Sequence, residues 1–232
     1  MEQVVIIPTV DPDERIVSLV GELQCAGFAH IIVVDDGSCQ SCQAMFANLE
    51  LCGCTVVHHT SNCGKGAAIK TGLDAMRRAY PRSRGAVTVD DDGQHLAMDA
   101  LRVACASTAH PEAITIGVRD LHGSDVPLRS RFGNAFSALF FRLDTGVACA
   151  DTQTGLRCIP APLVGYARSV EGERYEYEMN ELTQAAKDGI DLVQVPITAV
   201  YEKKERRSHF RPVADSVRIY RSLIRFTMAS LS

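Results

Sequence analysis

Apolar runs and helical patterns alternate along the first half of the chain. Short runs rich in Val and Ile predict β-strands at residues 4–7, 31–34, 55–58, 86–89 and 113–118. The segments between them carry apolar residues at helical spacing and predict helices at residues 14–26, 42–51, 66–80 and 101–108. A strand–helix repeat of this kind predicts βαβ units, in which a mostly parallel central sheet has helices on both faces. We therefore expect an α/β, Rossmann-like fold.

Three consecutive aspartates, Asp90, Asp91 and Asp92, follow the predicted strand at residues 86–89. Adjacent carboxylates repel one another, so we expect a cation to neutralise them. Hard divalent cations such as Mg²⁺ or Mn²⁺ bind oxygen ligands and keep positions open for water or substrate phosphates. Alternate residues of a strand point to the same side, which predicts that Asp90 and Asp92 share a face while Asp91 points elsewhere. A solvated acidic turn is the alternative interpretation.

The other predicted strands also end in polar residues. The segments at the strand ends are 8–11, 35–38, 62–66, 90–92 and 117–119, and they carry carboxylates, glycines and single cations. Ligands of parallel sheets bind where the loops at the carboxyl ends of the strands diverge. This composition at one edge of the sheet predicts a site for a nucleotide diphosphate and a metal.

Two common phosphate-binding fingerprints are absent from the sequence. Gly-x-Gly-x-x-Gly does not follow the first predicted strand, and Gly-x-x-x-x-Gly-Lys-Ser/Thr occurs nowhere in the chain. A phosphate-binding role for Lys65, which lies between Gly64 and Gly66, therefore depends on its position alone. An exposed lysine after a glycine-permitted turn is the alternative interpretation.

The composition excludes several classes of protein. The 232 residues, 46% of them hydrophobic, are enough for one substantial core, in one large domain or two small ones. A net charge of −4, the absence of Trp and an aromatic content of 6% argue against a nucleic-acid-binding protein. No apolar run reaches the roughly 18 residues of a membrane span, and the N-terminus lacks the basic region of a signal peptide. We expect a cytoplasmic protein.

The chain contains nine cysteines, most of them within apolar stretches. In a reducing compartment such cysteines are ordinarily small buried side chains without disulfides. Cys39-x-x-Cys42 and Cys52-x-Cys54 together offer four thiolates for zinc, but the second pair has one intervening residue where a zinc ribbon has two. Reduced cysteines on helix faces are the preferred interpretation, with a structural zinc site as the alternative.

Five stretches of the sequence together resemble a family 2 glycosyltransferase of the GT-A fold. The resemblance is nearest to the dolichol- or polyprenol-phosphate mannosyl- and glucosyltransferases. The matching stretches, which occur in the family's order and extend over about residues 4–210, are 5–9, 32–38, 62–68, 89–95 and 151–157. The resemblance implies a catalytic domain over residues 1–212, followed by a C-terminal amphipathic helix at residues 213–232.

The resemblance implies donor-binding roles for the matching residues. The group that would surround the nucleotide base and ribose is Pro8, Thr9, Asp11 and Asp36, with Asp35 at the strand end. Asp90 and Asp92 match the family's DxD motif, which holds the Mg²⁺ or Mn²⁺ that bridges the donor diphosphate. Gln94 would complete the metal environment, and Asp91 adds a third carboxylate to the donor site.

The resemblance also implies residues on the acceptor and sugar sides. The segment that would meet an acceptor phosphate contains Arg119, Arg129, Ser130 and Arg131. Asp151, Thr152 and Arg157 match a segment that lines the sugar side of the pocket, and Glu178 matches an acidic position at the start of a helix beneath the site.

The chemistry of the acceptor decides which residues are catalytic. Sugar transfer from a nucleotide diphosphate places negative charge on the leaving group, where a metal at Asp90 and Asp92 would act with Lys65 or Arg207. Attack from the opposite face gives an inverted product. A lipid phosphate is already anionic and needs cations for positioning. A hydroxyl acceptor needs a base, for which Asp151 or Glu178 is the candidate.

The C-terminal segment suggests contact with a membrane surface. Apolar residues recur at helical spacing from Val213 to Met228, with a separate stripe of arginines. A basic amphipathic helix binds an anionic membrane, but it equally suits packing on the domain or a dimer contact. Upstream, Arg206, Arg207 and His209 resemble the family's segment that closes over the donor, which makes them candidate diphosphate ligands.

These features are compatible with four functions. The leading prediction is a metal-dependent inverting glycosyltransferase that moves a hexose from a UDP- or GDP-sugar to a polyprenyl phosphate. The alternatives are a glycosyltransferase with a soluble or protein hydroxyl acceptor, a non-catalytic nucleotide-sugar binding module, and a nucleotidyltransferase. The last would place a glycine-rich loop after the first strand, where this chain has Pro8-Thr9-Val10-Asp11.

Overall fold

The structure, a computed structural model, describes residues 2–121, 126 and 128–198, with the backbone alone at residues 128–130. The predicted amphipathic helix at 213–232 and the domain boundary at residue 212 lie outside the described residues. The candidate donor ligands Arg206, Arg207 and His209 lie there too, and so do the side chains of Arg129 and Ser130.

Strands and helices alternate along the described chain. The strands are β1 (Val4–Thr9), β2 (Ile31–Asp35), β3 (Thr55–His58), β4 (Gly85–Thr88), β5 (Ile114–Arg119), β6 (Arg157–Pro160) and β7 (Leu192–Ile197). The helices are α1 (Arg15–Cys25), α2 (Gln43–Leu51), α3 (Lys65–Ala79), α4 (Ala97–Ala109), α5 (Leu128–Thr145), α6 (Val164–Ser169) and α7 (Glu176–Lys187). A short 3₁₀ turn, Gln40–Cys42, precedes α2.

The seven described strands form one sheet in the order β3-β2-β1-β4-β6-β5-β7. β6 is antiparallel to both of its neighbours, and the remaining pairs are parallel. The carboxyl ends of six strands therefore lie at the same edge as the start of β6. This edge is where the sequence predicted a common site.

Both faces of the sheet are buried, which explains why its central strands are continuous apolar runs. In β1, Val5 and Ile7 belong to a core cluster that includes residues of α1 and α4, while Val4 and Ile6 belong to a second cluster with residues of α3. A third cluster joins β5 to α5 and α7. The predicted α/β fold with helices on both faces is confirmed.

The predicted strands and helices of the first half are present, with ends shifted by a few residues. β4 ends at Thr88, so Asp90 lies beyond the strand and Asp91 and Asp92 lie in a turn. Strand alternation therefore does not apply to these aspartates, because the turn sets the directions of Asp91 and Asp92. None of the helices in the described segments combines the length and the apolar character that crossing a bilayer requires.

Candidate active site

The predicted strand ends meet at one edge of the sheet. β1 ends at Thr9 and β2 at Asp35, and these two residues are paired in the parallel register. β5 ends at Arg119 at the same edge. Because β6 runs in the opposite direction, the loop of residues 150–156 that precedes it reaches this edge as well. The topology thus brings together residues that are far apart in sequence.

Lys65 is the centre of a charged group at this edge. Its ammonium nitrogen lies 2.7 Å from Asp90 Oδ1 and 2.9 Å from Glu178 Oε2. The three residues, which we call the Lys65 cluster, come from the start of α3, the segment after β4 and the first turn of α7. A lysine predicted to bind phosphate is therefore in contact with a predicted metal ligand and with the predicted acidic residue.

Close packing of α3 against α7 explains the position of Lys65. Gly64 has a φ of +109°, and a Cβ there would lie 2.4 Å from the carbonyl oxygen of Glu173. A Cβ on Gly66 would lie 2.5 Å from Tyr177 Cβ. Only glycine allows this conformation and this approach, which hold Lys65 next to the first turn of α7.

Charge pairing keeps Lys65 and Asp90 of the Lys65 cluster ionised. Burial works to lower the pKa of Lys65, but the carboxylates of Asp90 and Glu178 outweigh it and the pKa is raised. Burial likewise works against ionisation of Asp90, but Lys65 outweighs it and lowers the pKa to about 2. Burial raises the pKa of Glu178 despite the neighbouring lysine. Asp90 is therefore a carboxylate at neutral pH, as a metal ligand must be.

Asp91 and Asp92 add oxygen atoms beside the Lys65 cluster. Asp91 accepts a hydrogen bond from the Thr9 hydroxyl. Burial raises the pKa of Asp91 to about 6, and the charges of Asp90 and Asp92 add to this effect. Asp92 Oδ1 accepts the backbone N–H of Gln94 at 2.8 Å. Three consecutive carboxyl groups supply the oxygen atoms that a hard divalent cation prefers as ligands.

The carboxylate of Asp90 lies directly against the backbone of Gly155. A Cβ on Gly155 would lie 2.2 Å from Asp90 Oδ2, so no larger residue fits there without moving the aspartate. The Thr88 hydroxyl fixes the glycine by donating to its carbonyl oxygen at 2.7 Å. On the other side, the Asp90 N–H donates to Nδ1 of buried His95 at 3.4 Å, and burial lowers the pKa of that histidine. His95 was not among the predicted site residues.

Arg119 and Asp151 form a bidentate ion pair at the end of β5. Arg119 Nε donates to Asp151 Oδ2 at 2.6 Å and Nη2 donates to Oδ1 at 3.0 Å. The backbone N–H of Gln153 also donates to Oδ1, at 3.2 Å. The side chain of Asp151 is fully buried. The predicted phosphate-binding arginine is therefore held rigidly by the predicted base, and Arg131 lies partly buried near the start of α5.

The loop before β6 is tied to α5 by polar side chains. Asn134 donates to the carbonyl oxygen of Ala150 at 2.7 Å and accepts the Thr152 N–H at 3.2 Å. The Thr152 hydroxyl donates to Ser137 Oγ at 3.0 Å. All these side chains are buried, so Thr152, predicted on the sugar side, helps to hold the loop. Asn134 and Ser137 carry no sequence signal beyond being polar residues in a predominantly apolar segment.

Arg157 lies beneath the site and contacts protein oxygens. Its Nη1 donates to Glu181 Oε2 at 2.8 Å and to the Glu178 carbonyl oxygen at 2.6 Å, while Nε donates to the Thr154 carbonyl oxygen at 3.1 Å. The Tyr177 hydroxyl donates to the other oxygen of Glu181 at 3.2 Å. The structure thus places Arg157, predicted to line the pocket, where it joins α7 to the loop before β6.

Asp36 anchors the loop that leads to Lys65. Its carboxylate accepts the backbone N–H groups of Cys63 and Gly64, both at 2.8 Å, and lies 2.8 Å from His59 Nδ1. The aspartate predicted near the nucleotide thus also sets the start of α3. Pro8 is buried in β1, and Asp11 is exposed in the loop that follows.

An open cleft of about 590 Å³ lies at the carboxyl ends of β2 and β3. Its lining residues are Asp35, Gly37, Ser38, Gln40, Gln43, His58, His59 and Thr60. The lining is polar, and the aspartate is fixed because Asp35 accepts the Ser38 N–H at 2.8 Å and bonds His58 Nδ1 at 2.7 Å. A concave surface with fixed polar groups, next to Asp36, can hold and orient a nucleoside.

The fold and the carboxylate-rich edge define a class of protein, the GT-A glycosyltransferases. The model of the family "Glycosyl transferase family 2" matches residues 5–158, which is more than half of the chain. The chain belongs to this family. It is a nucleotide-sugar-dependent glycosyltransferase, and the predicted family, GT-A fold and enzyme class are confirmed.

Two curated relatives have names that refer to a dolichyl phosphate or a polyprenol. A UDP-N-acetylglucosamine–dolichyl-phosphate N-acetylglucosaminyltransferase of Methanococcus voltae is 28% identical over 215 residues, 84% of each chain. A polyprenol monophosphomannose synthase of Mycolicibacterium smegmatis is 31% identical over 204 residues, 84% of this chain and 76% of the relative.

Solved structures with the same fold include a glucosyl- and a mannosyl-3-phosphoglycerate synthase. Glucosyl-3-phosphoglycerate synthase of Mycobacterium tuberculosis, in complex with Mn²⁺, UDP-glucose and phosphoglyceric acid, has a TM-score of 0.70 at 16% identity and matches 97% of this chain and 78% of its own. Mannosyl-3-phosphoglycerate synthase of Rubrobacter xylanophilus also has a TM-score of 0.70 and 16% identity, over 98% and 73%. At this identity the likeness shows the fold alone.

Proposed function

We propose that the protein is a metal-dependent, inverting glycosyltransferase that moves a hexose from a nucleotide-diphosphate sugar to a polyprenyl phosphate. The observation that carries the acceptor class is the Arg119–Asp151 pair. Asp151, the candidate base in this part of the site, is buried and bound in a bidentate ion pair with Arg119. An acceptor that is already anionic needs no such base and instead needs a fixed cation.

The cation implied by the family fits the residues at the end of β4. Asp90 and Asp92 supply carboxylate oxygens, and the low pKa of Asp90 keeps it charged. The backbone of Gly155 packs against that carboxylate and leaves no room for a side chain beside it. We assign the metal-holding role to Asp90 and Asp92, with Gln94 and Asp91 close by. A bound Mg²⁺ or Mn²⁺ would stabilise negative charge on the departing diphosphate.

The donor occupies the edge from β3 to β4 in this proposal. The nucleoside lies in the open cleft at the ends of β2 and β3, near Pro8, Thr9, Asp11 and Asp36. The diphosphate then lies beside Lys65, whose ammonium is held at the site by two carboxylates. A cation placed before the reaction stabilises the charge that develops in the transition state at little cost in reorganisation. Arg207 and His209 remain predicted diphosphate ligands.

The acceptor phosphate binds at the end of β5 in this proposal. Arg119 presents a guanidinium whose orientation Asp151 fixes, and Arg131 lies near the start of α5. An oxygen of the acceptor phosphate attacks the anomeric carbon on the face opposite the diphosphate. The bond to the diphosphate oxygen breaks with its electron pair, so the configuration inverts. Glu178, whose pKa burial raises, holds Lys65 and takes no proton from this acceptor.

A lipid acceptor implies that the enzyme works at a membrane surface. The amphipathic pattern at residues 213–228 is the sequence feature that suits this contact. We propose a peripheral association with the cytoplasmic face of the membrane, made by the basic C-terminal segment.

Product extraction tests the acceptor class. Purified enzyme receives radiolabelled UDP-glucose, UDP-N-acetylglucosamine or GDP-mannose, with Mn²⁺ and short-chain polyprenyl phosphate. We expect one donor to yield label in the organic phase that mild acid releases, and Arg119→Met to lose most of this transfer with donor binding intact. Label found only in water-soluble products, or an undiminished rate in Arg119→Met, would contradict the proposed acceptor. The exposed Arg82→Met is the matched control.

A further inference from the structure

A second group of metal-ligating side chains lies in the loops after β1 and β2, away from the Lys65 cluster. Its members are Asp11, Cys39 and Cys42, whose ligand atoms all lie within 4.8 Å of one another. The two sulfur atoms are 3.6 Å apart, and Cys42 Sγ is 3.9 Å from Asp11 Oδ1. Two thiolates on one tetrahedral zinc ion, with bonds of about 2.3 Å, are about 3.8 Å apart. The sulfur atoms are thus already at the spacing of a shared cation.

Backbone hydrogen bonds hold this group in place. Asp11 has a φ of 49°, unusual for a residue other than glycine, and its N–H donates to Ser38 Oγ at 2.9 Å. In return, the Cys39 N–H donates to Asp11 Oδ1 at 2.8 Å. The two loops are therefore tied to each other in both directions. The ligand atoms do not have to be gathered from separate positions when a cation binds.

The donor atoms favour a thiophilic cation over the Mg²⁺ or Mn²⁺ of the proposed catalytic site. Two thiolates and one carboxylate are the ligands of Zn²⁺ or Co²⁺, whereas Mg²⁺ and Mn²⁺ prefer oxygen alone. Three protein ligands leave a fourth position for water. Both cysteines are free thiols, and Cys39 is exposed, so the position is reachable from solvent.

Other groupings of the same residue types have a simpler explanation. Asp36, His59 and Cys63 also lie within 4.8 Å of one another. However, both ring nitrogens of His59 are already engaged, by Asp36 and by Thr71, so this histidine has no nitrogen left for a cation. The zinc site with four cysteines weighed from the sequence is not formed in the described part of the chain, because neither Cys52 nor Cys54 belongs to such a group.

We infer that Asp11, Cys39 and Cys42 bind one thiophilic divalent cation of the Zn²⁺ class, which joins the loops after β1 and β2. These loops flank the cleft assigned to the nucleoside, so the cation would hold the two loops together at that cleft. The site is separate from the proposed catalytic metal. Binding of the cation by these residues does not rest on the proposed function, and only the position of the site beside the nucleoside does.

Binding at this site must release protons. A cysteine thiol is largely protonated at neutral pH, and a metal ion must displace its proton to bind the thiolate. The affinity for the cation consequently rises with pH between 6 and 8, which a merely adventitious contact with carboxylates would not show.

Cobalt absorption spectroscopy tests the inference on the full chain. The protein is reduced with a phosphine, stripped of metal and titrated with Co²⁺ in excess Mg²⁺, without oxygen. We expect one equivalent to give a thiolate-to-cobalt charge-transfer band that Zn²⁺ abolishes. The band should be lost in Cys39→Ser and in Cys42→Ser, and Asp11→Asn should weaken binding about tenfold or more. Cys25→Ser and Cys52→Ser, at exposed cysteines outside the group, are the matched controls.

The two cysteine variants and the wild type together make the outcome decisive. Circular dichroism identifies a variant that fails to fold, and the other variant then carries the comparison. No band in the wild-type protein, a band that persists in a folded Cys39→Ser or Cys42→Ser protein, or an affinity that is the same at pH 6 and pH 8 would each overturn the assignment.

Discussion

Two groups of charges at the same edge of the sheet differ in their access to solvent. In the Lys65 cluster, the side chains of Lys65, Asp90 and Glu178 are 16%, 23% and 11% exposed. In the Arg157–Glu181 pair, the values are 2% and 1%. Both groups join α7 to loops of the site. We call the partly exposed Lys65 cluster open, since its ion-pair partners can be exchanged, and the buried Arg157–Glu181 pair closed.

The difference separates a working group from a structural one. An open cluster can give up a contact when a diphosphate or a metal arrives, because water screens the charges during the exchange. A closed pair cannot, since the loss of either partner leaves an uncompensated charge in the interior. We therefore expect substitutions in the closed pair to act on stability and substitutions in the open cluster to act on catalysis.

The largest expected effect is on the closed pair. Arg157→Met should lower the free energy of unfolding by about 3–5 kcal/mol, because Glu181 is left buried without its partner. Urea denaturation followed by circular dichroism measures this loss. Arg84→Met, which breaks an exposed pair with Glu2, is the control and should cost less than about 1 kcal/mol. Equal losses in the two variants would remove the distinction between open and closed groups.

A change in the open cluster should reduce the rate and leave the fold intact. Asp90→Asn removes a charge from the proposed metal site, and we expect kcat/KM to fall by about 10²–10³. Steady-state transfer assays measure the rate, and thermal denaturation verifies the fold. Asp13→Asn, at an exposed carboxylate paired with Arg15, is the matched control. Wild-type kcat/KM in a folded Asp90→Asn enzyme would show that this carboxylate is not part of the machinery.

Adding a single methyl group at Gly155 tests whether the position of the Asp90 carboxylate matters. In Gly155→Ala the new Cβ would lie 2.2 Å from the carboxylate, which must therefore move. We expect kcat/KM to fall at least about tenfold, since small displacements of a positioned group have effects of this size or larger. Gly165→Ala, where a Cβ meets no atom within 4 Å, is the control. Equal activities of the two variants would mean that the position of Asp90 does not matter.

The smallest effect concerns Asp91 and depends on pH. Its pKa is raised by burial to about 6 from 3.8, so its contribution to stability is present below pH 3.8 and is lost as the pH rises through 6. Asp91→Asn should therefore raise the Tm at pH 8 relative to the wild type, by about 2–4 °C per kcal/mol recovered, and bring no gain at pH 4. Scanning calorimetry at both values tests this, and a gain of equal size at pH 4 would refute it.

The first half of the fold was predictable because its signals are local. Apolar runs mark β1 to β5, and the carboxylates at their ends mark the edge on which ligands bind. The second half was not. β6 is short and begins with Arg157. Arginine usually lies at the surface, and pairing with Glu181 allows this one to be buried. Such a partner is invisible in a local pattern.

The sequence predicted which candidate residues lie at one edge of the sheet, but it did not predict the contacts between them. The strand ends and the resemblance placed Lys65 and Asp90 in the donor site and Glu178 beneath it. However, Lys65 and Glu178 are 113 residues apart, and their ion pair depends on how α3 packs on α7. His95, Asn134 and Ser137 were missed because their side chains hold neighbouring loop residues through hydrogen bonds, which no local sequence pattern marks. Strand alternation does not decide the direction of Asp91, because the strand ends before the aspartates begin.

The central claim is that Asp90 and Asp92 hold a divalent cation on the donor diphosphate. The most direct test measures sugar transfer by enzyme stripped with a chelator, before and after Mg²⁺ or Mn²⁺ is restored. Mg²⁺ is informative because it does not suit the thiolate group of Cys39 and Cys42. We expect the stripped enzyme to be inactive, the wild type to recover fully with Mg²⁺ or Mn²⁺, and Asp92→Asn to recover little. Transfer at the full rate in the presence of chelator would contradict the account.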